Sequence, residues 1–434
     1  MTKAVPQRVV VIGGGASGTL QALNLVRRGA GKVTLIERER TPGRGVAYST
    51  GRPEHLLNVP ARRMSAYGDD PGHFVRWFGE RAGGGEEDFA PRMLYGDYIA
   101  GLLAEADVAI VRDEAVDVAP DNSVRLATGT TLPADAVVLA PGNFRPATPR
   151  GIDPAALGDL WVQDPWAGGV TEGLDGGDTI LLVGTGLTAI DVALTLEATG
   201  YRGRIVALSR RGLAPRAHGP REPMVAPSED LATRCTAMLR RVRARSEAVG
   251  WRSAVHELRS VTAKIWSDAS AAERGRFLRH LRPWWDVHRH KLAPAIGAKI
   301  EALQAEARLA VAAGKLISVE PEGGKAVVRF RSRGSEAVET LRVARIVNCT
   351  GPEIDIVRAG EPLLDSLLAA GRIRPDPLRV GLDVDAECRV LDAGGQPSDT
   401  LYAIGPITRG TFWESVAIPD IRAQAERVAA RICL

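Results

Sequence analysis

Cysteine is scarce and unpaired in this chain: Cys235, Cys349, Cys388 and Cys433 are the only four in 434 residues, and they stand far apart. They form no C-x-x-C pair and no zinc spacing, and the chain is too long for a small disulfide scaffold, so a reducing compartment is expected. Long apolar runs are missing as well. No stretch approaches the roughly 20 residues a membrane helix needs, and the first apolar run, Val9 to Ile12, is too short for a secretion-signal core. A cytoplasmic protein without membrane contact is expected. Nor is there a surplus of one charge. Lys+Arg at 56 against Asp+Glu at 52 leaves +4, scattered without a basic block, which gives no reason to expect nucleic acid as a partner. What remains, 45% hydrophobic and 25% charged, is an ordinary globular composition with the length of about two to three domains.

The informative residues begin at the first strand. Arg8-Val-Val-Val-Ile-Gly13-Gly-Gly15-Ala16-Ser17-Gly18 carries a buried-strand run directly into G-x-G-x-x-G and a helix-like stretch through Leu25. Gly13 permits the tight turn, Gly15 lets a pyrophosphate approach the backbone, and Gly18 lets the helix pack on the strand. The helix N-terminus, at Ala16 and Ser17, holds the phosphate charge. The second strand, Lys32-Val-Thr-Leu-Ile-Glu37, ends in an acid nineteen residues after Gly18, where a carboxylate accepts the hydroxyls of an adenosine ribose. Arg38 beside it is a further candidate contact.

A second copy follows. Asp178-Thr-Ile-Leu-Leu-Val183 leads into a G-x-G-x-x-A turn at Gly184 and Gly186, then a helix opening with Leu187, Thr188 and Ala189. Two such turns imply two dinucleotide cofactors. The next strand, Arg204 to Leu208, ends in Ser209-Arg210-Arg211 where the first unit has Glu37. An acid there would repel a ribose 2′-phosphate, whereas arginine binds it bidentately, so NADPH is favoured and NADH stays possible. Between the turns, Ala115–Val118, Val124–Leu126 and a turn at Thr128-Gly-Thr read as a β-meander returning to Ala136–Ala140 and Gly142. Ala344 through Cys349-Thr-Gly351 repeats that strand-to-glycine ending, and the two strands are expected to close the two units.

Paired units of this kind resemble the two-dinucleotide-binding flavoproteins of glutathione-reductase-like architecture. Gly43-Arg-Gly-Val-Ala-Tyr48, His55-Leu-Leu-Asn58-Val-Pro60, Asp164-Pro-Trp166, Trp285-Asp-Val-His288-Arg289 and Gly410-Thr-Phe-Trp413-Glu414 are similar to the YdhS-like bacterial FAD/NAD(P)-binding proteins, relatives of flavin monooxygenases and N-hydroxylases. The resemblance implies an α/β fold of two Rossmann-like domains with a helical insertion. It puts FAD on Gly13, Gly15, Gly18 and Glu37, with Arg44, Val116 and Gly142 nearby, and NAD(P)H in the second unit, closed by Gly351. Residues 400–406 and a helix from Ile418 to Ile432 are similar to the closing strand and helix of FAD domains. Many relatives place an Asp on the ribityl chain where this chain has Gly405-Pro406, so the backbone amides of Gly410, Thr411 and Phe412 are the expected substitute. The missing C-x-x-C removes disulfide reductases, and a linker from Gly142 to Trp166 without histidine disfavours ketone oxygenation.

On this reading residues 1–166 and 345–434 form a discontinuous FAD domain and 167–344 an NAD(P) domain, with an insertion at about 222–313. Helices are expected from Ser228, with apolar Leu231, Cys235, Met238, Leu239 and Val242, near Trp251–Trp266, and from the capping box Ser270–Glu273 to His288. Another is expected at Ala295–Ala313, before a small β segment at Val327–Phe330. His288 and His290 cannot share a helix face, so no metal site is read there; with Trp284 and Trp285 they either pack the insertion or touch substrate. Trp413 and Glu414 are expected to anchor the C-terminal helix.

Asn58 is the candidate catalytic residue, by likeness to the flavin monooxygenases in which an Asn beside the flavin bonds a peroxide or the nicotinamide. Its alternative is a loop cap before Pro60. The favoured function is an NADPH-dependent flavoprotein monooxygenase, an oxidoreductase that uses O2 to oxygenate a small nucleophilic substrate through a flavin peroxide. An NAD(P)H:acceptor reductase and a flavin-bound sensor or docking protein are the alternatives, and an oligomer is compatible with each.

Overall fold

Continuous β-branched strands such as Val9–Ile12 have no polar face to offer water, so they belong in a sheet covered on both sides. A computed structural model, which describes residues 7–39, 41–219 and 232–434, contains two such sheets. The first unit supplies β1 (Arg8–Ile12), β2 (Lys32–Ile36), β3 (Ala109–Val111), a separate antiparallel meander of β4 (Ala115–Val118), β5 (Val124–Leu126) and β6 (Thr131–Leu132), and β7 (Ala136–Leu139). The second sheet holds β8 (Trp161–Val162), β9 (Thr179–Val183), β10 (Arg204–Ser209), β11 (Leu309–Glu322), β12 (Lys325–Ser332), β13 (Val338–Val343) and β14 (Arg345–Asn348). The chain then returns to the first sheet with β15 (Arg389–Leu391) and β16 (Pro397–Ala403).

The first sheet runs β15-β16-β7-β1-β2-β3. Val9 pairs with Val33 on one side and Ala136 on the other, both in parallel register. The helix Ala16–Arg27 crosses from β1 to β2 and packs on the C-terminal helix Ile418–Ile432, burying Leu20, Leu25, Ile421 and Val428 in one core. The second sheet runs β13-β12-β11-β10-β9-β14-β8, with helix Leu187–Ala198 crossing from β9 to β10. Strand order reverses beside β1 in the first sheet and beside β9 in the second, which places the two glycine turns at carboxyl-end crevices where α/β folds bind ligands. The fold is therefore the expected pair of Rossmann-like units.

One element differs from expectation. The helix after the insertion is Pro294–Ala305, and it stops before Ala307, whose φ is 56°. Leu309–Ala313, read from sequence as helix, is instead the start of β11, paired in parallel with Ile205–Ser209. Alanine-rich sequence favours helix, but satisfying the exposed flank of β10 and burying Leu309 outweighs propensity. Val327–Phe330 is the middle of a longer antiparallel ribbon formed by β11, β12 and β13.

The insertion is helical as expected. Cys235–Glu257 breaks at Gly250 (φ 77°), and Thr262–Asp268, Ala271–Arg276 and Arg282–Arg289 follow, the last two joined by a π turn. The anticipated start at Ser228 and Leu231 lies outside the described residues. Ser270 Oγ accepts the Glu273 N–H at 3.3 Å, but the Glu273 carboxylate accepts the Cys235 N–H at 2.8 Å instead of completing a capping box. Trp266 and Trp413 stack at 4.7 Å, with Phe277 edge-on to both, so the insertion sits on the C-terminal segment of the first unit. Among the described residues no helix is long and apolar enough to cross a membrane.

Candidate active site

The first glycine turn is shaped by backbone approach. Gly13 has φ 103°, and a Cβ there would lie 2.2 Å from the Ala140 carbonyl oxygen, so only glycine closes this turn. Gly15 faces Gly45, and the Gly43 N–H donates to the Gly14 carbonyl at 2.7 Å, folding the Arg44 loop over the turn. The result is a cradle walled by backbone, ending at the free amides that open helix Ala16–Arg27, including those of Ala16, Ser17 and Gly18. Glu37 closes its far end: one carboxylate oxygen accepts the Gly14 N–H and the other the Glu39 N–H, each at 2.8 Å. That fixes a carboxylate only 8% exposed, with lone pairs left for two ribose hydroxyls. Arg44 pairs with Asp97 and keeps a buried, unpartnered Nε. Val116 is skipped at a bulge between β4 and β5, which leaves its backbone free of the ladder. Gly142, with φ 74°, has open space where a Cβ would stand. Arg38 does not join the cradle contacts: its guanidinium is held by Glu361 at 2.8 Å and Glu114 at 3.0 Å.

The second turn repeats the geometry. Gly184 has φ 124° and packs on the Cys349 carbonyl, while Gly186 is exposed with open space above it, ahead of Leu187 and Thr188. Gly351, with φ 85°, mirrors Gly142. Ser209 shapes the turn, since its Oγ lies 2.9 Å from Thr185 Oγ1 and accepts the Gly212 N–H at 3.0 Å. Arg211 reaches the Arg279 carbonyl at 3.4 Å. Arg210 is exposed and makes no side-chain bond among the described residues, so it is the arginine available to a 2′-phosphate.

Beside the second turn, between residues 57–64 of the first unit and the insertion, lies a cavity of about 710 Å³, lined by Asn58, Asn143, Gly186, Leu187 and Pro352 among others. This is within the size range of small-molecule sites. The Asn58 carbonyl accepts His218 Nε2–H at 3.1 Å, and its side-chain amide makes no hydrogen bond among the described residues. The loop-cap alternative is therefore not realised. Burial keeps His218 neutral, its pKa lowered to about 4. His288, Arg289 and His290 also line the cavity, whereas Trp285 packs with the aromatic cluster and Trp284 is 47% exposed.

The C-terminal segment approaches the first turn and the cavity at different points. Gly405 is its close approach to the first turn, a Cβ there falling 2.7 Å from Ser17 Oγ. Gly410, Thr411 and Phe412 are used in packing: Trp266 Nε1 donates to the Gly410 carbonyl at 2.7 Å, Thr411 Oγ1 donates to Val384, and Phe412 packs on two cores. Arg409 and Val416–Ile418 line the cavity instead. Trp413, with φ 58°, is held in a conformation rare for a bulky residue by the Trp266 stack, and Glu414 pairs with Arg289 at 2.7 Å. Both are anchors, as expected.

Two groups were not legible in the sequence. Arg92 grips Asp191 bidentately at 2.7 and 2.8 Å, and His55 Nε2 donates to the Asp191 carbonyl at 3.1 Å, fastening the first unit to the helix of the second. Arg63, Arg259 and Arg409 converge on the cavity from three distant segments. A double arginine at 62–63 was the sole local hint.

Residues 10–144 match a protein-family model described as FAD-NAD(P)-binding. No curated protein sequence matches the chain. Solved structures do. An ornithine N-hydroxylase from Kutzneria sp. 744, solved with reduced FAD, NADP+ and L-ornithine, is 15% identical with a TM-score of 0.66, over 98% of each chain. L-lysine 6-monooxygenase from Pseudomonas syringae is 17% identical with a TM-score of 0.67, again over 98% of each. The FAD-bound cadaverine monooxygenase from Erwinia amylovora is 11% identical with a TM-score of 0.70, over 99% of this chain and 95% of its own. At these identities the likeness establishes a shared two-unit fold along the whole chain, with the N-terminal family match confined to its first unit.

Proposed function

We propose that this chain is an FAD- and NADPH-dependent monooxygenase acting on a small molecule. The carrying observation is a cavity that joins the second glycine turn, at Gly186 and Leu187, to the Leu57–Met64 segment of the first unit, with an unpartnered asparagine, Asn58, on its wall. The family match over residues 10–144 and the shared fold with flavin-dependent hydroxylases support the reading. The motifs Gly43–Tyr48 and His55–Pro60, which resemble those of the YdhS-like proteins, are in keeping with it. Residues 1–166 with 345–434 hold FAD, and 167–344 hold NADPH.

Bound FAD supplies hydride acceptance and oxygen activation. The chain supplies the rest. Glu37 and the amides at Ala16 and Ser17 fix the adenosine diphosphate. Gly186, Leu187 and Arg210 would hold the nicotinamide cofactor, and Gly186 and Leu187 also line the cavity. Leu57 and Met64 give that cavity apolar wall, which limits water beside the reacting rings. Asn58 offers an amide donor and acceptor at a site without competing protein partners. The overall balance is substrate, O2, NADPH and a proton giving oxygenated substrate, NADP+ and water. With its substrate, the flavin-loaded protein should consume O2 and NADPH in equal amounts. NADPH oxidation that reduces an added quinone while leaving O2 untouched would move the assignment to a reductase.

A further inference from the structure

The cavity is strongly cationic, and its positive groups are poorly compensated. Arg63 and Arg409 have no carboxylate within salt-bridge reach among the described residues. Arg259 meets Asp420 only at 3.8 Å, whereas Arg289 has Glu414 at 2.7 Å and Arg62 has Glu87 at 2.9 Å. These groups are enclosed: Arg289 is 12% exposed, and the Nε atoms of Arg289 and Arg409 are buried without a hydrogen bond. Arg409 lies 4.3 Å above the Trp413 ring, which fixes its plane toward the cavity side. Guanidinium cannot shed its proton to escape this setting.

The nearby carboxylates are Glu87, Asp286, Glu414 and Asp420, and burial disfavours the charged form of two of them. Burial pushes the Asp286 and Asp420 carboxyls up in pKa, and one oxygen of Asp286 has no hydrogen-bond partner. Burial, reinforced by the neighbouring arginines, lowers His256 to about 4 and His290 to about 3, so both add donors without charge. Buried guanidinium without a partner is costly, and the cost is recovered when an anion binds. The dinucleotide phosphates are accounted for at the two glycine turns. The arginines at 63, 259 and 409 come instead from the 61–63 turn, the insertion and the C-terminal segment, and they share Asp420, Glu414 and Asp286 as neighbours.

We propose that this arginine cluster selects a substrate of net negative charge, a compact molecule whose carboxylates outnumber its ammonium groups, unlike the net-cationic L-ornithine, L-lysine and cadaverine named for the structural neighbours. The inference rests on the oxygenase reading for its chemistry and on the cluster for its charge. A carboxylate fits because two planar forks can each hold it bidentately.

Glutarate and cadaverine, five-carbon chains with opposite terminal charges, separate the cases. Calorimetric titration of the flavin-loaded protein should show glutarate binding and no cadaverine binding. Arg63→Gln should weaken glutarate about tenfold or more, and Arg409→Lys should recover only a minor part of what Arg409→Gln loses, because an ammonium keeps the charge and not the fork. Cadaverine binding tighter than glutarate, or full glutarate affinity in Arg63→Gln, would overturn the proposal. Inorganic phosphate displacing glutarate at equal concentration would overturn the carboxylate assignment. Titration is independent of turnover, so glutarate binding by a protein that passes electrons from NADPH to an added quinone and leaves O2 untouched refutes the oxygenase reading and leaves the charge selection standing.

Discussion

A single added carboxylate at Gly15 tests how the first turn works. Gly15→Asp would place a side chain against Gly45 and negative charge where the pyrophosphate must sit. The variant should retain less than about a tenth of the wild-type flavin, read as the flavin-to-protein absorbance ratio of purified protein. Full retention would remove FAD from this turn. Arg210→Ala should raise the KM for NADPH about tenfold or more while leaving NADH unchanged, because only the 2′-phosphate distinguishes the two; equal losses would contradict that role. The glycines and Glu37 were legible from sequence because each acts within its own turn, through φ and a backbone amide a few ångströms away. Arg38 was not. Its partners Glu114 and Glu361 stand 76 and 323 residues away, and no local pattern announces them.

Elements were legible where periodicity and burial agree. The strands β1, β7, β9 and β14 read directly from their β-branched runs, and the C-terminal helix from the resemblance to FAD domains. Leu309–Ala313 did not, since only its register against β10 makes a strand of it. The seating of the insertion was equally hidden, because the Trp266–Trp413 stack joins positions 147 apart in sequence. The joint between the two units depends on Arg92 and Asp191, whose side chains are 18% and 7% exposed. Asp191→Ala leaves a guanidinium buried and unpaired, and should cost about 3–5 kcal/mol in urea unfolding. A loss below about 1 kcal/mol would show that the joint tolerates an open charge there.

At the scale of the whole molecule, the charge distribution dictates acid sensitivity. His218 is depressed to about 4, His256 to about 4 and His290 to about 3, chiefly by burial, from an ordinary 6.5. The unfolded chain therefore takes up protons that the fold excludes. Stability contributed by these neutral rings is complete above about 6.5 and is lost as pH falls toward 4. His290 faces Asp286 at 3.8 Å with Arg282, Arg289 and Arg409 around it, so protonation there meets mostly positive neighbours. The thermal midpoint should fall across that interval, and His290→Asn should flatten the slope; an unchanged slope would show that the ring titrates freely in the native state. Composition could not reveal this, because a net charge of +4 over 434 residues hides a cavity where the positive charges gather.

The central claim is that two cofactors, one in each unit, meet in one cavity. Anaerobic mixing of the flavin-loaded protein with NADPH, and separately with NADH, tests it most directly. Complete bleaching of the flavin, faster with NADPH, is the predicted result. A flavin that stays oxidised with both nucleotides would contradict it.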